Sequence, residues 1–292
     1  MVEYKLFPGC TIQNRIPFLE STSRKVFDKL GVQLSGAAFS CCPEPVGFQA
    51  VDTNAWLAMG ANNLCLAEAE GIDIMSLCNG CTQTLKAVNH HLNKHPAKKE
   101  EVNAALAKIG KNFQGSCKVK HFVEVLMDDV GIDAIKAAVT KPLEGLNVAT
   151  HTGCHYSRPH EVVECDDAFH PVFLKQLVAA TGATVIEHDE EGLCCGNGVA
   201  MADEDTAMKL NMRKFKDMKK KGADCMCVIC PACFQQFDTK QANIKKAMGE
   251  DPEVPVFYLT ELLALAMGEA VESLEFKNHR AKVANALAKI GL

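Results

Sequence analysis

The sequence has no excess of positive charge and no long apolar run. Its 292 residues include 31 Lys and Arg against 36 Asp and Glu, a formal net charge of −5, so the chain offers no general electrostatic attraction to nucleic acid or to an anionic membrane. The most apolar segment, residues 254–271, contains Pro255, Glu261 and Glu269 and is too polar and too short to span a bilayer. We therefore expect neither nucleic acid nor membrane as a main partner.

Two further signals are missing. Glu3 and Pro8 interrupt the N-terminal residues, which leaves no apolar stretch of signal-peptide length. The fragment Gly196-Asn197-Gly198 follows a pair of cysteines and lacks the third glycine of a dinucleotide-binding loop. We expect a soluble, cytoplasmic protein without a nucleotide or flavin site.

Cysteine is the residue type that stands out among those present. The chain has fifteen, about one residue in twenty. A chain of this length buries enough apolar surface to fold without disulfides. In a reducing cytosol, so many thiols, and an odd number of them, indicate ligands of a metal or cluster rather than disulfide bonds.

The sequence is a repeat of two halves, which we place at residues 1–143 and 144–292. Each half predicts a strand that ends in Gly-Cys, a helix, a second strand leading to a Cys-Cys pair, a second helix, and a third strand leading to a Cys-x2-Cys motif. A last segment in each half carries a Glu, Glu124 or Glu261, before two apolar residues. The predicted helices cover residues 18–30, 54–70, 172–181 and 206–221, and each ends at a glycine.

Strands that alternate with helices in this way are typical of parallel sheets covered by helices. We therefore predict an α/β fold of two pseudo-symmetric, Rossmann-like halves. Ligands of such sheets bind at the carboxyl ends of the strands. All the paired and Gly-Cys cysteine motifs fall at these ends.

Each half supplies five cysteines in the same order. The single Cys and the Cys-Cys pair are separated by thirty residues in the first half and by thirty-nine in the second, and the pair and the Cys-x2-Cys motif by thirty-five and thirty-four. Cysteines used only for packing have no reason to repeat in this way. The first set is Cys10, Cys41, Cys42, Cys78 and Cys81, and the second is Cys154, Cys194, Cys195, Cys230 and Cys233.

Five thiols per half do not fit the common metal sites. A structural zinc site takes four ligands, and an ordinary cubane iron–sulfur cluster also takes four cysteines. The surplus ligand favours a cluster of unusual shape. A zinc-stabilised assembly or scaffold protein without redox function is the alternative from another class.

The doubled pattern of ten cysteines resembles the cysteine-rich CCG repeat of the B-type subunit of heterodisulfide reductase from methanogenic archaea, over essentially the whole chain. Cys194-Cys195-Gly196 matches the signature of the repeat, whereas the first half has Cys42-Pro43. This departure keeps all five ligands and puts only the local backbone shape in doubt.

The resemblance implies two noncubane four-iron four-sulfur (4Fe-4S) clusters, one held by each set of five cysteines. It also implies that this is the catalytic subunit, which reduces the disulfide of coenzyme M and coenzyme B to two thiols during methanogenesis. The partners implied are the flavin-bearing A-type and the cubane-bearing C-type subunits of heterodisulfide reductase, with a hydrogenase or a formate dehydrogenase in a larger complex. A component of a glycolate or lactate oxidase, or of a succinate or fumarate redox complex, is the alternative.

Cleaving a disulfide takes two electrons and yields two thiolates, for which iron is a good acceptor. Arg15 and Arg158 follow the first cysteine of each half closely and could pair with anionic groups of the substrate; surface ion pairs are the alternative. His155 could donate a proton to a leaving thiolate; a purely structural histidine is the alternative.

Five cysteines have no counterpart in the other half. Cys225 and Cys227 extend the last motif into something like a ferredoxin run, but the C-x3-C-P ending is missing and Cys227 corresponds to Met75 at a strand position that we expect to be buried. We interpret the five as ordinary thiols: Cys65, Cys117, Cys165, Cys225 and Cys227.

Overall fold

A computed structural model describes residues 2–292, which form two four-stranded parallel sheets with the same strand order. The order is β2-β1-β3-β4 in the first sheet and β6-β5-β7-β8 in the second. The strands are β1 (Val2–Phe7), β2 (Val32–Ser35), β3 (Ile74–Ser76), β4 (Val119–His121), β5 (Asn147–His151), β6 (Thr184–Ile186), β7 (Cys225–Val228) and β8 (Val256–Tyr258). Two parallel sheets of matched order confirm the predicted fold class.

Helices connect the strands in both halves. The α-helices are α1 (Cys10–Arg15), α2 (Phe18–Lys29), α3 (Gly47–Val51), α4 (Thr53–Glu68), α5 (Asn79–Lys94), α6 (Pro96–Leu106), α7 (Phe122–Glu124), α8 (Ile132–Ala138), α9 (His160–Val163), α10 (Phe173–Ala180), α11 (Asn197–Ala200), α12 (Glu204–Lys220), α13 (Pro231–Phe234), α14 (Gln241–Met248), α15 (Leu259–Ala266) and α16 (Ala284–Lys289). Short 3-10 helices cover Ala107–Ile109, Cys154–Tyr156, Val271–Leu274 and Phe276–Asn278, and π-helical turns cover Val125–Val130 and Gln235–Thr239. None of the helices within residues 2–292 combines the length and apolar character needed to cross a membrane.

The strand order places a ligand site in each half. In both sheets the order reverses between the first strand and the third, and this switch point is where open parallel sheets bind ligands. The registers match: Phe7 of β1 pairs with Ser76, and His151 of β5 pairs with Val228. Phe7 and His151 are therefore equivalent positions, each three residues before the first cysteine of its half.

The two halves pack against each other through one continuous apolar core. Helix α2 of the first half lies against α15 of the second, where Ser23 Oγ and Thr260 Oγ1 are 3.0 Å apart. We propose the boundary between the halves at residues 143 and 144, which lie between α8 and β5.

The Glu that each half carries before an apolar pair has a capping role. The backbone N–H of His121 donates to Glu124 over 2.9 Å, and that of Tyr258 donates to Glu261 over 2.8 Å. Both carboxylates thereby close the N-terminus of the helix that follows the last strand, as in a capping box. Glu261 is fully buried and also accepts a hydrogen bond from His279 Nε2 at 2.8 Å.

Replacing Glu261 with Ala should destabilise the fold by about 3 kcal/mol or more, because it leaves the buried His279 and the N–H of Tyr258 without their acceptor. Thermal unfolding of the variant beside Glu250→Ala measures this, since Glu250 forms an exposed ion pair with Lys216 and should matter little. Equal losses in the two variants would contradict the capping role of Glu261.

Candidate metal centre

The ten repeated cysteines line a single cavity of about 310 Å³ between the two halves. They reach it from the carboxyl ends of the strands of both sheets. Cys10, Cys41 and Cys194 are exposed at its mouth and Cys154 is partly exposed, while the other six are buried. Both sets of five cysteines therefore face one space rather than two separate ones.

A glycine precedes the first cysteine of each half for a steric reason. Gly9 has φ of 80° and Gly153 has φ of 79°, a left-handed conformation that favours glycine. A Cβ atom at Gly9 would lie 3.0 Å from Cys81 Sγ, and one at Gly153 would lie 3.3 Å from Cys233 Sγ. The two glycines thus keep the same space clear beside the last cysteine of each set.

Each Cys-x2-Cys motif begins a helix. Cys78 and Cys230 are the N-cap residues of α5 and α13. Their backbone angles are nearly identical, with φ of −134° and ψ of 126° for Cys78 and φ of −128° and ψ of 127° for Cys230. The last cysteines of the motifs, Cys81 and Cys233, lie in the first turns. The N-terminus of a helix favours the negative charge of a thiolate.

The Cys-Cys pairs lie in loops that differ between the halves. Gly196 has φ of 78°, and a Cβ there would lie 3.0 Å from Ala207 Cα, whereas the equivalent Pro43 cannot adopt a positive φ. The first loop is instead held by the buried Asn63, which accepts from the Ser40 N–H at 2.8 Å and donates to the Cys41 carbonyl at 3.0 Å. The sequence departure therefore changes the backbone but leaves both cysteines in the cavity.

Buried polar contacts join the halves directly behind the cysteines. The Tyr258 hydroxyl contacts the carbonyl oxygens of Leu77 and Ile229, the latter at 3.1 Å, and these residues immediately precede Cys78 and Cys230. Asn79 donates across the interface to the Thr152 carbonyl at 2.6 Å. These contacts fix the two Cys-x2-Cys motifs relative to each other.

Hydrogen bonds between neighbouring thiols are the largest cause of the pKa shifts in nine of the ten cysteines. They lower the pKa of Cys42, Cys194 and Cys230 and raise the pKa of Cys41, Cys78, Cys81, Cys154, Cys195 and Cys233. Cys78 and Cys230, from different halves, are one such pair. A metal or cluster requires its cysteine ligands as thiolates, so its binding would displace protons from these thiols.

The five remaining cysteines have a different environment. Burial is the largest cause of the raised pKa in all five. It raises the pKa to about 11 in Cys65 and to about 12 in Cys117, and further in the other three. Cys225 and Cys227 are fully buried in β7, which confirms the strand position expected for Cys227. No member of this group lines the cavity: Cys65, Cys117, Cys165, Cys225 and Cys227.

The donor set of the cavity fits iron–sulfur clusters. Thiolate is the ligand that such clusters require, and the two glycines leave room beside the sulfurs. His151, Cys195 and Cys233 place their ligating atoms within 4.8 Å of one another. The cavity and its cysteines thus support iron–sulfur binding.

The three other predicted site residues lie in different places. His155 lines the cysteine cavity, and its buried Nδ1 has no hydrogen-bond partner among residues 2–292. Arg15 is exposed and lines a second cleft of about 720 Å³ that shares Cys10, Thr11 and Asn197 with the cysteine cavity. Arg158 is exposed and is not among the residues that line either space.

Several residues at this centre escaped the sequence analysis. Tyr258 ends β8 directly before the helix that Glu261 caps, and His151 lies three residues before Cys154. His151 Nε2 is 3.3 Å from Cys233 Sγ. Alignment of the halves could have found His151, because the equivalent residue Phe7 is apolar, but no local motif indicates Tyr258 or Asn79.

Comparison with known proteins agrees with the cysteine pattern. The cysteine-rich domain family CCG matches residues 4–86 and 148–238. The chain is 35% identical, over 99% of its length and 97% of the relative, to the B-type subunit of a ferredoxin/F(420)H(2)-dependent CoB-CoM heterodisulfide reductase of Methanosarcina acetivorans. It is 30% identical, over 93% of its length and 94% of the relative, to the membrane anchor of the 8-methylmenaquinol:fumarate reductase of Wolinella succinogenes.

A solved structure shares the fold. The crystal structure of a hypothetical protein from Helicobacter pylori matches with a TM-score of 0.76 over 96% of this chain and 52% of that chain, at 16% sequence identity. At this identity the likeness concerns the fold alone. From its two CCG matches and its full-length identity to the Methanosarcina relative, the chain belongs to the CCG cysteine-rich domain family, among the B-type subunits of heterodisulfide reductase.

Proposed function

We propose that this chain is the catalytic subunit of a heterodisulfide reductase and reduces the disulfide of coenzyme M and coenzyme B to two thiols. The observation that carries the proposal is the single cavity lined by two sets of five cysteines. The relative from Methanosarcina acetivorans, named as part of a CoB-CoM heterodisulfide reductase, supports the choice of substrate.

Two noncubane 4Fe-4S clusters would be held by the two sets of cysteines. Cys10, Cys41, Cys42, Cys78 and Cys81 would hold the first, and Cys154, Cys194, Cys195, Cys230 and Cys233 the second. When bound, the clusters supply the two electrons that disulfide cleavage requires. Adjacent cysteines in each half suit a cluster whose irons share neighbouring thiolates.

The shared cavity suits a disulfide substrate, because reduction of a disulfide releases two thiolates and the cavity has a set of five cysteines for each. A substrate in this space contacts both cysteine sets at once, so each product sulfur lies beside a different set. His155, which lines the cavity with an unpartnered Nδ1, is placed to give a proton to a leaving thiolate.

The second cleft suits the anionic parts of the substrate. Arg15 and Lys240 line it, and it opens onto the cysteine cavity at Cys10. Lys240 is already paired with Glu204 at 2.8 Å, whereas Arg15 forms no ion pair among residues 2–292. A guanidinium group binds sulfonate, carboxylate or phosphate well. Arg158 lies outside this cleft, and its proposed role stays a prediction.

The proposal extends to partners and location. We propose the flavin-bearing A-type and the cubane-bearing C-type subunits of heterodisulfide reductase as partners, with a hydrogenase or formate dehydrogenase in the larger complex, because the sequence contains neither a ferredoxin run nor a flavin motif. We also propose a cytoplasmic location, because fifteen free thiols suit a reducing compartment.

A fumarate redox complex is the second candidate, favoured by the 30% identical relative that is named as part of a fumarate reductase. The purified, anaerobically reconstituted chain should oxidise a reduced dye with the CoB-CoM heterodisulfide and not with fumarate, glycolate or lactate. Turnover with fumarate, glycolate or lactate, and none with the heterodisulfide, would replace the proposed function by the alternative. Zinc without acid-labile sulfide would end the enzyme interpretation altogether.

Replacing Cys81 with Ser should remove the iron of the first cluster only, because Cys81 belongs to one set of ligands. Iron and acid-labile sulfide per chain should fall by about half relative to the wild-type protein, which should bind enough for two four-iron clusters. Cys65→Ser is the matched control, since Cys65 lies outside the cavity, and it should keep all its iron. Wild-type protein of full activity with iron for only one cluster would contradict the two-cluster proposal.

Replacing Arg15 with Met should raise the KM for the heterodisulfide about tenfold, with iron content unchanged, because one charged hydrogen bond to the substrate is lost. Arg158→Met is the matched comparison and should have the smaller effect, since Arg158 lies outside both lined spaces. Steady-state kinetics with a reduced dye measures both. An unchanged KM in both variants would remove arginine from substrate binding.

A further inference from the structure

Although the ligands repeat, the groups around them do not. The first difference is at the equivalent positions Phe7 and His151. His151 is buried with Nε2 3.3 Å from Cys233 Sγ, while Phe7 packs against Phe39 with ring centroids 4.9 Å apart. A sulfur bound to iron can only accept a hydrogen bond, so we assign the ring proton to Nε2, which donates to it; Nδ1 then faces the Glu191 carbonyl oxygen at 3.4 Å. The first half has no donor at this position.

The second difference is on the helix behind each Cys-Cys pair. Asp52 and Asp203 cap α4 and α12, and eleven residues after these caps lie Asn63 and Lys214. Both hold the loop before the pair, since Lys214 donates to the Glu191 carbonyl at 2.9 Å. Burial lowers the Lys214 pKa to about 8, and the thiols of Cys233 and Cys195 oppose this. The Lys214 Nζ also contacts the Glu190 carbonyl oxygen, and donation to two carbonyl groups suits the charged ammonium form.

The third difference is two residues after each Cys-Cys pair, where Glu44 and Asn197 both line the cavity. The Glu44 carboxylate accepts from the N–H groups of Val46 at 2.9 Å and Phe48 at 3.1 Å. Asn197 is neutral and accepts from Gln236 at 3.1 Å. The first site therefore has an anion where the second has an amide.

Apart from the exposed Arg15, the other charged side chains near the two sites form pairs. Glu191 lies 2.8 Å from Lys175, Glu190 lies against Arg213, and Glu20 lies 2.9 Å from Arg24. Lys86 and Glu124 form a pair at 2.8 Å. Arg15 lies in a cleft that residues of both halves line, among them Cys10 and Asn197, so its charge is not confined to one site. The three unequal positions remain as the difference, and all three make the second site more electropositive.

We propose that the second site, formed by Cys154, Cys194, Cys195, Cys230 and Cys233, holds the cluster of higher reduction potential. Hydrogen bonds to cluster sulfurs, nearby cations and the absence of a nearby anion each favour the reduced form. A single electron on the pair then resides mainly in the second half. This inference rests on the proposed function only in assuming two iron–sulfur clusters.

The test is a potentiometric titration of the reconstituted protein, followed by electron paramagnetic resonance. Wild-type protein should show two components of different potential. Cys81→Ser, which removes the first cluster, should retain the component of higher potential. If it retains the lower one, or if the two wild-type components coincide, the inference is overturned.

Exchange of each residue for its counterpart gives the matched variants. His151→Phe and Lys214→Asn should each lower the higher potential by about 59 mV, a tenfold change in a one-electron equilibrium constant, and leave the lower one unchanged. Glu44→Asn should raise only the lower potential, and because Glu44 is exposed this variant tests the inference even if a buried substitution prevents folding. Shifts in the opposite component would overturn the assignment.

The outcomes separate this inference from the proposed function. Coincident potentials in a protein that reduces the heterodisulfide would leave the function standing and refute the inequivalence. Two distinct potentials that respond as stated, in a protein inactive with the heterodisulfide, would support the inequivalence and refute the function.

Discussion

The structure depends on one electrostatic constraint, the gathering of ten sulfur atoms in one largely buried cavity. Neighbouring thiolates in such a place repel one another, so not all ten can be ionised together, and contacts among the thiols lower the pKa of three and raise the pKa of six. A cation relieves the same repulsion more completely, because it lets all the sulfurs be anionic at once. The cavity is therefore a site whose charge balance is completed by metal, which is why iron–sulfur binding follows from its donor set.

The fold meets this constraint by turning the carboxyl ends of two parallel sheets toward each other. Each sheet brings a Gly-Cys, a Cys-Cys and a Cys-x2-Cys motif to its switch point, and two helix N-termini add positive dipole ends beside the last motifs. Tyr258 then couples the halves by contacting the carbonyl groups directly before Cys78 and Cys230. Together with the Asn79–Thr152 hydrogen bond, this hydroxyl fixes the two Cys-x2-Cys motifs relative to each other.

Much of this arrangement follows from local sequence. Strands, helices and their terminal glycines were predictable because apolar periodicity and left-handed glycines are local signals, and Gly31 and Gly182 do have φ of 73° and 88°. The role of Tyr258 could not be predicted from local sequence, because its hydrogen-bond partners lie 181 and 29 residues away along the chain. The placement of Arg15 and Arg158 also escaped prediction: both follow a first cysteine closely, yet only Arg15 lines a cleft, because the chain after Cys154 forms a 3-10 turn where that after Cys10 forms a helix.

A duplicated scaffold keeps what both copies need and varies the rest. The ten cysteines, the two glycines before the first cysteines and the capping glutamates occur in both halves at equivalent positions. Phe7 and His151, Asn63 and Lys214, and Glu44 and Asn197 differ, and none of them belongs to the ten repeated cysteines. Under the function that we propose, such differences would have a use: two electrons must reach two sulfurs, and a pair of identical sites would have no preferred place for the first. Different residues around the two matching sets of cysteines would give the first electron a preferred site and leave the cysteines of the cavity unchanged.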